Sequence, residues 1–171
     1  MQRFFYTLAA SVLLCLVTAT TVMAQGPRRK SFGIGIVLGD PLGLTAKYWL
    51  NREESIAASL GTSYFGWPRV QVDYLQQINT FRSRVTTTYI GGGVGVGLGS
   101  GHDWYIAGDD STAWYKREQS KTGIAVRFVA GINVIPRRSH FEYYVEVAPN
   151  LGLLSGFGLA LDAGLGVRYY L

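Results

Sequence analysis

Alternation is the feature that most constrains this chain. In its closing stretch LALDAGLGVRYYL, residues 159–171, Leu161, Ala163, Leu165, Val167, Tyr169 and Leu171 take every second place, and Asp162, Gly164, Gly166, Arg168 and Tyr170 fill the gaps. Successive side chains of a strand point to opposite faces, so this segment has one apolar face and one carrying an acid, a base and two glycines. The same period recurs over 32–39, 42–50, 55–65, 69–78, 86–98, 122–135 and the run from Phe141 to Val147. Turn chemistry separates the segments: DPLG at 40–43, NREE at 51–54, FGWP at 65–68 and PRRS at 136–139. No stretch after residue 24 keeps a helical period, and glycines fall inside the periodic segments, which weakens helix further. Eight strands joined in order by mostly short turns predict an all-β, antiparallel up-and-down sheet closed into a barrel.

Two such barrels exist. A soluble one, of the lipocalin kind, buries its apolar face; a membrane one turns that face to lipid and keeps polar groups inside. The second face decides between them. A water-facing strand surface normally mixes many charges, whereas here it is glycine, serine, alanine and aromatics with one or two charges per strand. The file Gly91, Gly93, Gly95 and Gly97 is a poor solvated surface but makes room inside a narrow barrel for Trp49, Phe65, Tyr89, Tyr144 and Tyr170. Charges on this face nearly balance, with Lys47, Arg127 and Arg168 against Asp73, Glu142, Glu146 and Asp162, as an enclosed interior requires. Tyr48, Tyr64, Trp67, Phe141, Tyr143 and Tyr169 fall near segment ends, where aromatic girdles sit. The expectation is an eight-stranded antiparallel up-and-down transmembrane β-barrel over 32–171, its interior plugged by those seven charged residues. A wide aqueous pore is excluded, because eight strands enclose only enough space for side chains.

The first 24 residues have a basic start, an apolar run and a small-residue ending with Val22 and Ala24, the pattern of a cleaved secretory signal peptide. Residues 25–31 are then expected to form an N-terminal tail. Cys15, the only cysteine, leaves with the signal, so the mature chain is expected to have neither disulfide nor thiol chemistry. Arg3 is the only one of the 16 bases before residue 25, and there are 11 acids. The surplus bases are scattered over separate turns rather than gathered on one element, which argues against nucleic-acid binding.

The ending GLGVRYYL resembles the C-terminal assembly signal of bacterial outer-membrane barrels, with Gly166, the aromatic Tyr169 and the large apolar Leu171 in the matching places; Gly164 and Leu171 depart from its commonest residues. The whole mature chain is similar to small barrels of the outer-membrane protein X and OmpA membrane-domain type. More narrowly, GIGIVLGDPLGLTAKYWL, EVAP and LGVRYY resemble a family of small outer-membrane β-barrels to which no activity is attached. The resemblance implies a multi-pass protein of the Gram-negative cell outer membrane, inserted by the barrel-assembly machinery and in contact with outer-membrane lipids and lipopolysaccharide. It also implies that both termini and the turns at 51–54, 79–84 and 136–140 are periplasmic, and that 40–43, 66–68, 99–121 and 149–156 face outside.

Four functions then compete. Loop 99–121 carries Trp104, Tyr105, Trp114 and Tyr115 among charges, a composition suited to surface recognition of an extracellular ligand. A narrow channel, or a transporter of small hydrophobic solutes, would run along the charged interior. Ser100, His102 and Asp103 have the residue types of an acyl-transfer site, so a lipid A-modifying acyltransferase is a third reading. A soluble periplasmic lipid-binding barrel is the fourth. His102 and His140 without a mature-chain cysteine make a poor metal set. The expectation is therefore a non-enzymatic barrel without a cofactor, with a structural or recognition role through loop 99–121.

Overall fold

The computed structural model describes residues 31–81, 83, 85–99, 102–104, 114–116, 122–153 and 158–171. The expected signal peptide, most of the expected tail and much of loop 99–121, Tyr105 included, lie outside the described residues. The strands are β1 (Phe32–Gly39), β2 (Leu42–Trp49), β3 (Glu54–Ser63), β4 (Gly66–Ile78), β5 (Thr86–Gly97), β6 (His102–Trp104), β7 (Trp114–Lys116), β8 (Gly123–Val134), β9 (Phe141–Gly152) and β10 (Gly158–Tyr170). Eight of them close an antiparallel barrel in the order β1-β10-β9-β8-β5-β4-β3-β2, while β6 and β7 form a separate two-stranded sheet within the long loop. Closure is direct: Gly33 to Gly39 of β1 pair with Tyr170 to Gly164 of β10. A closed ladder leaves no strand edge unpaired.

Alternation sets the two faces as the pattern required. Ile34, Ile36, Leu44, Leu60, Val72, Val94, Phe128, Val145, Leu161 and Leu165 are exposed on the outside. Thr45, Lys47, Arg69, Gln71, Asp73, Arg127, Asn133, Glu142, Asn150, Asp162 and Arg168 are buried inside. The barrel therefore inverts the usual arrangement of a water-soluble domain.

The interior closes because glycines on one strand seat aromatic rings from the next. Gly33 lies opposite Tyr170, Gly131 opposite Tyr89 and Gly166 opposite Tyr144 in the ladder. A methyl group at Gly166 would come within 2.5 Å of the Tyr144 ring, and one at Gly33 within 2.9 Å of the Tyr170 ring. The file on β5 works likewise: Gly91, Gly93 and Gly97 stand against Leu75, Asp73 and Phe65.

Two boundaries differ from the sequence expectation. FGWP is not the turn; the chain reverses at Tyr64–Phe65, and Gly66 (φ 152) already opens β4. The β3–β4 register shifts between Gly61 and Ser63, but Ser63 still faces inward, accepting from Arg69. Tyr64, in the turn itself, does not join an outer girdle; its hydroxyl donates to buried Asp162 at 2.7 Å. At the same rim β9 runs on to Gly152, past the expected loop start at 149. Pro149 is accommodated by a gap in pairing: Arg127 pairs with Asn150 and Ala130 with Val147, with nothing between. A proline has no N–H to give to a ladder.

Candidate functional site: a charged barrel interior

The inward face of the barrel holds two linked clusters of ionised groups. The first centres on Glu142 of β9, which is fully buried. Its carboxylate accepts from Lys47 Nζ of β2 at 2.8 Å, Asn133 Nδ2 of β8 at 2.8 Å, Tyr170 Oη of β10 at 2.6 Å and Arg168 Nη1 of β10 at 3.4 Å. Trp49 Nε1 donates to Tyr170 Oη at 2.8 Å, and Arg168 donates twice to Thr45 Oγ1. Lys47 also lies 4.4 Å from the Trp49 ring and Arg168 lies 3.8 Å from the Tyr144 ring. Two cations thus share one carboxylate, and aromatic faces supply the remaining negative potential.

The second cluster centres on Arg127 of β8 and Asp162 of β10. Arg127 reaches Asp162 at 3.1 Å, Asp73 of β4 at 2.9 Å and Glu146 of β9 at 3.7 Å, and donates to Gln71. Asp162 takes a second guanidinium, that of Arg69, at 2.5 Å. Arg69 in turn donates to Ser63 and Asn150 and pairs with Asp40, in the β1–β2 turn, at 3.3 Å. Here four carboxylates face two guanidiniums, the reverse of the imbalance around Glu142. Tyr89 joins the clusters: its hydroxyl donates to Glu146 at 2.9 Å and its ring lies 5.4 Å from Lys47. Asp40 stands at the mouth, outside the strands, where burial raises its carboxyl pKa against the lowering influence of Ser63 and Arg69.

Of the residues expected to form an interior network, Lys47, Glu142 and Arg168 meet in the first cluster and Asp73, Arg127, Glu146 and Asp162 in the second. Arg69, Asp40, Tyr64, Gln71, Asn133 and Asn150 belong to the same network and were not among them. The signal for Arg69 was present, since it shares strand parity with Gln71 and Asp73. That for Tyr64 was not, because it lies in the turn just past β3, where strand alternation no longer sets side-chain direction.

Within the C-terminal triplet, Gly166 seats the Tyr144 ring. Tyr169 points outward against Phe141, with ring centroids 5.2 Å apart, and Leu171 donates its N–H to the Phe32 carbonyl at 3.0 Å. In the long loop β6 and β7 place Trp104 opposite Trp114, Asp103 opposite Tyr115 and His102 opposite Lys116. The stretch read as non-periodic therefore contains a short hairpin. Ser100 lies outside the described residues, so the expected Ser100, His102 and Asp103 set has no geometry to assess.

Comparison with protein-family models, with curated proteins and with solved structures gave no match. Function is accordingly argued from the barrel itself.

Proposed function

We propose that this chain is an integral outer-membrane β-barrel, plugged rather than porous, that acts without catalysis and presents loop 99–121 for surface recognition. The observation that carries the reading is the inverted polarity of the barrel. Ile36, Leu44, Val145, Leu161 and Leu165 are exposed around its outside while Lys47, Arg127, Arg168, Glu142 and Asp162 are sealed within. Aliphatic side chains exposed on every strand of a closed sheet are stable where the solvent is hydrocarbon, and closure satisfies the backbone as lipid demands. A soluble lipid-binding barrel is opposed by the same observation, since it would bury its apolar face. Open conduction is opposed by the ion pairs and tyrosines that cross the lumen between β2, β4, β8, β9 and β10.

Loop 99–121 is the remaining part large enough to hold a contact surface, and its hairpin brings Trp104 and Trp114 into register. The membrane part of the proposal is tested by expressing the full chain in a Gram-negative host and fractionating it. The processed chain is expected in the outer membrane, with a gel mobility that changes on boiling; recovery as a water-soluble periplasmic monomer would defeat the reading. The recognition part is tested by replacing residues 100–121 with a short Gly-Ser turn. Cells carrying that variant should keep the heat-modifiable barrel but lose autoaggregation or retention on immobilised glycans and proteins. Equal behaviour of both strains would leave the chain a purely structural role.

A further inference from the structure

The rim that carries the chain termini is built differently from the opposite rim. Four consecutive strands, β2, β1, β10 and β9, place an outward aromatic near this end: Tyr48, Phe32, Tyr169 and Phe141, with Tyr143 one step further in. Register makes them an arc. Phe32 lies directly opposite Tyr48, Tyr169 directly opposite Phe141, and Ile34 bridges β1 to Tyr169. The rings pack edgewise and stacked, Phe141 on Tyr169 at 5.2 Å and on Tyr143 at 6.4 Å, and His140 stacks on Tyr169 at 5.5 Å. The turns at the two ends of the arc supply exposed arginines, Arg52 after β2 and the pair Arg137–Arg138 before β9.

Charge follows the same polarity along the whole chain. In sequence, the segment before β1 (25–31) and those joining β2–β3, β4–β5 and β8–β9, with Glu54, hold eight bases and two acids. The segments joining β1–β2, β3–β4, β5–β8 and β9–β10, Asp40 and the long loop included, hold three bases and five acids. The strand interior between them is neutral, with Lys47, Arg69, Arg127 and Arg168 against Asp73, Glu142, Glu146 and Asp162. Solubilising turns need no such separation of sign.

We infer that the arc Tyr48–Phe32–Tyr169–Phe141, flanked by Arg52 and Arg137–Arg138, is a docking surface for anionic glycerophospholipid. The rings occupy the level between acyl chains and headgroups, where aromatic side chains settle. The arginines then lie at the depth of the phosphates, which a guanidinium binds through paired N–H donors. Phosphatidylglycerol fits better than a zwitterionic lipid because its headgroup adds no cation to oppose the arginines. The inference rests on the membrane reading above, and deepens it by naming the lipid class that the terminal rim selects.

The test uses the full mature chain refolded into vesicles of phosphatidylcholine alone or mixed with phosphatidylglycerol, and measures by native mass spectrometry which lipid stays bound on extraction. Wild type should retain phosphatidylglycerol over phosphatidylcholine. Each of Arg52→Gln, Arg137→Gln and Arg138→Gln should lower that preference about fivefold, with Arg137→Glu/Arg138→Glu abolishing it. These arginines lie in exposed turns, and the heat-dependent gel shift confirms that every variant is a folded barrel. Equal retention of the two lipids by wild type would overturn the inference, as would a preference unchanged in the charge-reversed variant. Loss of the preference on adding excess inorganic phosphate, at constant ionic strength, would also overturn it by revealing a simple anion site. Failure to insert into neutral vesicles at all would instead strike the membrane reading itself, so the two failures are distinguishable.

Discussion

Replacing Glu142 with Gln separates charge from shape at a fully buried point of the interior. Glutamine keeps the volume and one acceptor, for either Asn133 or Tyr170 but not both, and leaves Lys47 and Arg168 facing each other without a counter-ion. All three ionised groups are buried, and the Lys47–Glu142 contact is 2.8 Å. Breaking a buried pair by removing one partner typically costs about 3–5 kcal/mol, because the stranded charge has no water to return to. Two stranded cations on one site place Glu142→Gln at the upper end of that range. Lys47→Met is the informative comparison. It leaves Arg168 with Glu142, one charge each, fills similar volume, and removes a single charged hydrogen bond, so its cost should be about 1–2 kcal/mol. Urea unfolding of barrels refolded in phosphatidylcholine vesicles, followed by tryptophan fluorescence with buried Trp49 as reporter, gives both numbers. A Glu142→Gln cost below about 1 kcal/mol, or a Lys47→Met cost equal to it, would show that the shared-carboxylate account of this cluster is wrong.

Other consequences follow from the same packing. Gly166→Ala pushes a methyl into the Tyr144 ring, 2.5 Å away, and should cost about 1–3 kcal/mol by overpacking; Gly95→Ala, whose nearest neighbours are Arg69 nitrogens at 3.6 Å, should be nearly neutral in the same unfolding assay. Leu165→Arg, on the outward face of β10, should destabilise the vesicle-inserted barrel by about 2–4 kcal/mol if it meets hydrocarbon, against roughly 0.5 kcal/mol or less on a wetted surface. Asp40 has its carboxyl pKa raised, chiefly by burial, so the folded state binds its proton more tightly than the unfolded chain. That contribution is present at low pH and is lost as pH rises from the ordinary carboxylate value through the raised one; a pH series of unfolding curves for Asp40→Asn should lack this decline.

The strands were legible because each carries its own alternation, and parity alone sorted Lys47, Asp73, Glu142, Asp162 and Arg168 onto one face. What parity does not encode is stagger. Lys47 meets Glu142 across 95 residues and Arg69 meets Asp162 across 93, and those pairings follow from how far each strand slides along its neighbour at closure. Arg69 was readable as inward but not as a partner of Asp162. Tyr64 was misread because β3 ends at Ser63, one residue short of it, and the turn rather than the alternation aims its side chain inward. The outer loop was expected to begin at 149, yet the β8–β9 ladder leaves two residues of each strand unpaired there and the strand continues to Gly152. The hairpin β6–β7 is too short, at three residues a strand, for periodicity to announce it.

The central claim is that the aliphatic face meets lipid. Expressed without residues 1–24, the chain has no cysteine, so a nitroxide can be attached at one chosen site. With Leu165→Cys labelled in a vesicle-inserted barrel, the account requires fast spin relaxation by dissolved oxygen and little by a water-soluble nickel chelate, the reverse of a label at Arg138→Cys. Nickel accessibility at position 165 equal to that at 138 would contradict it.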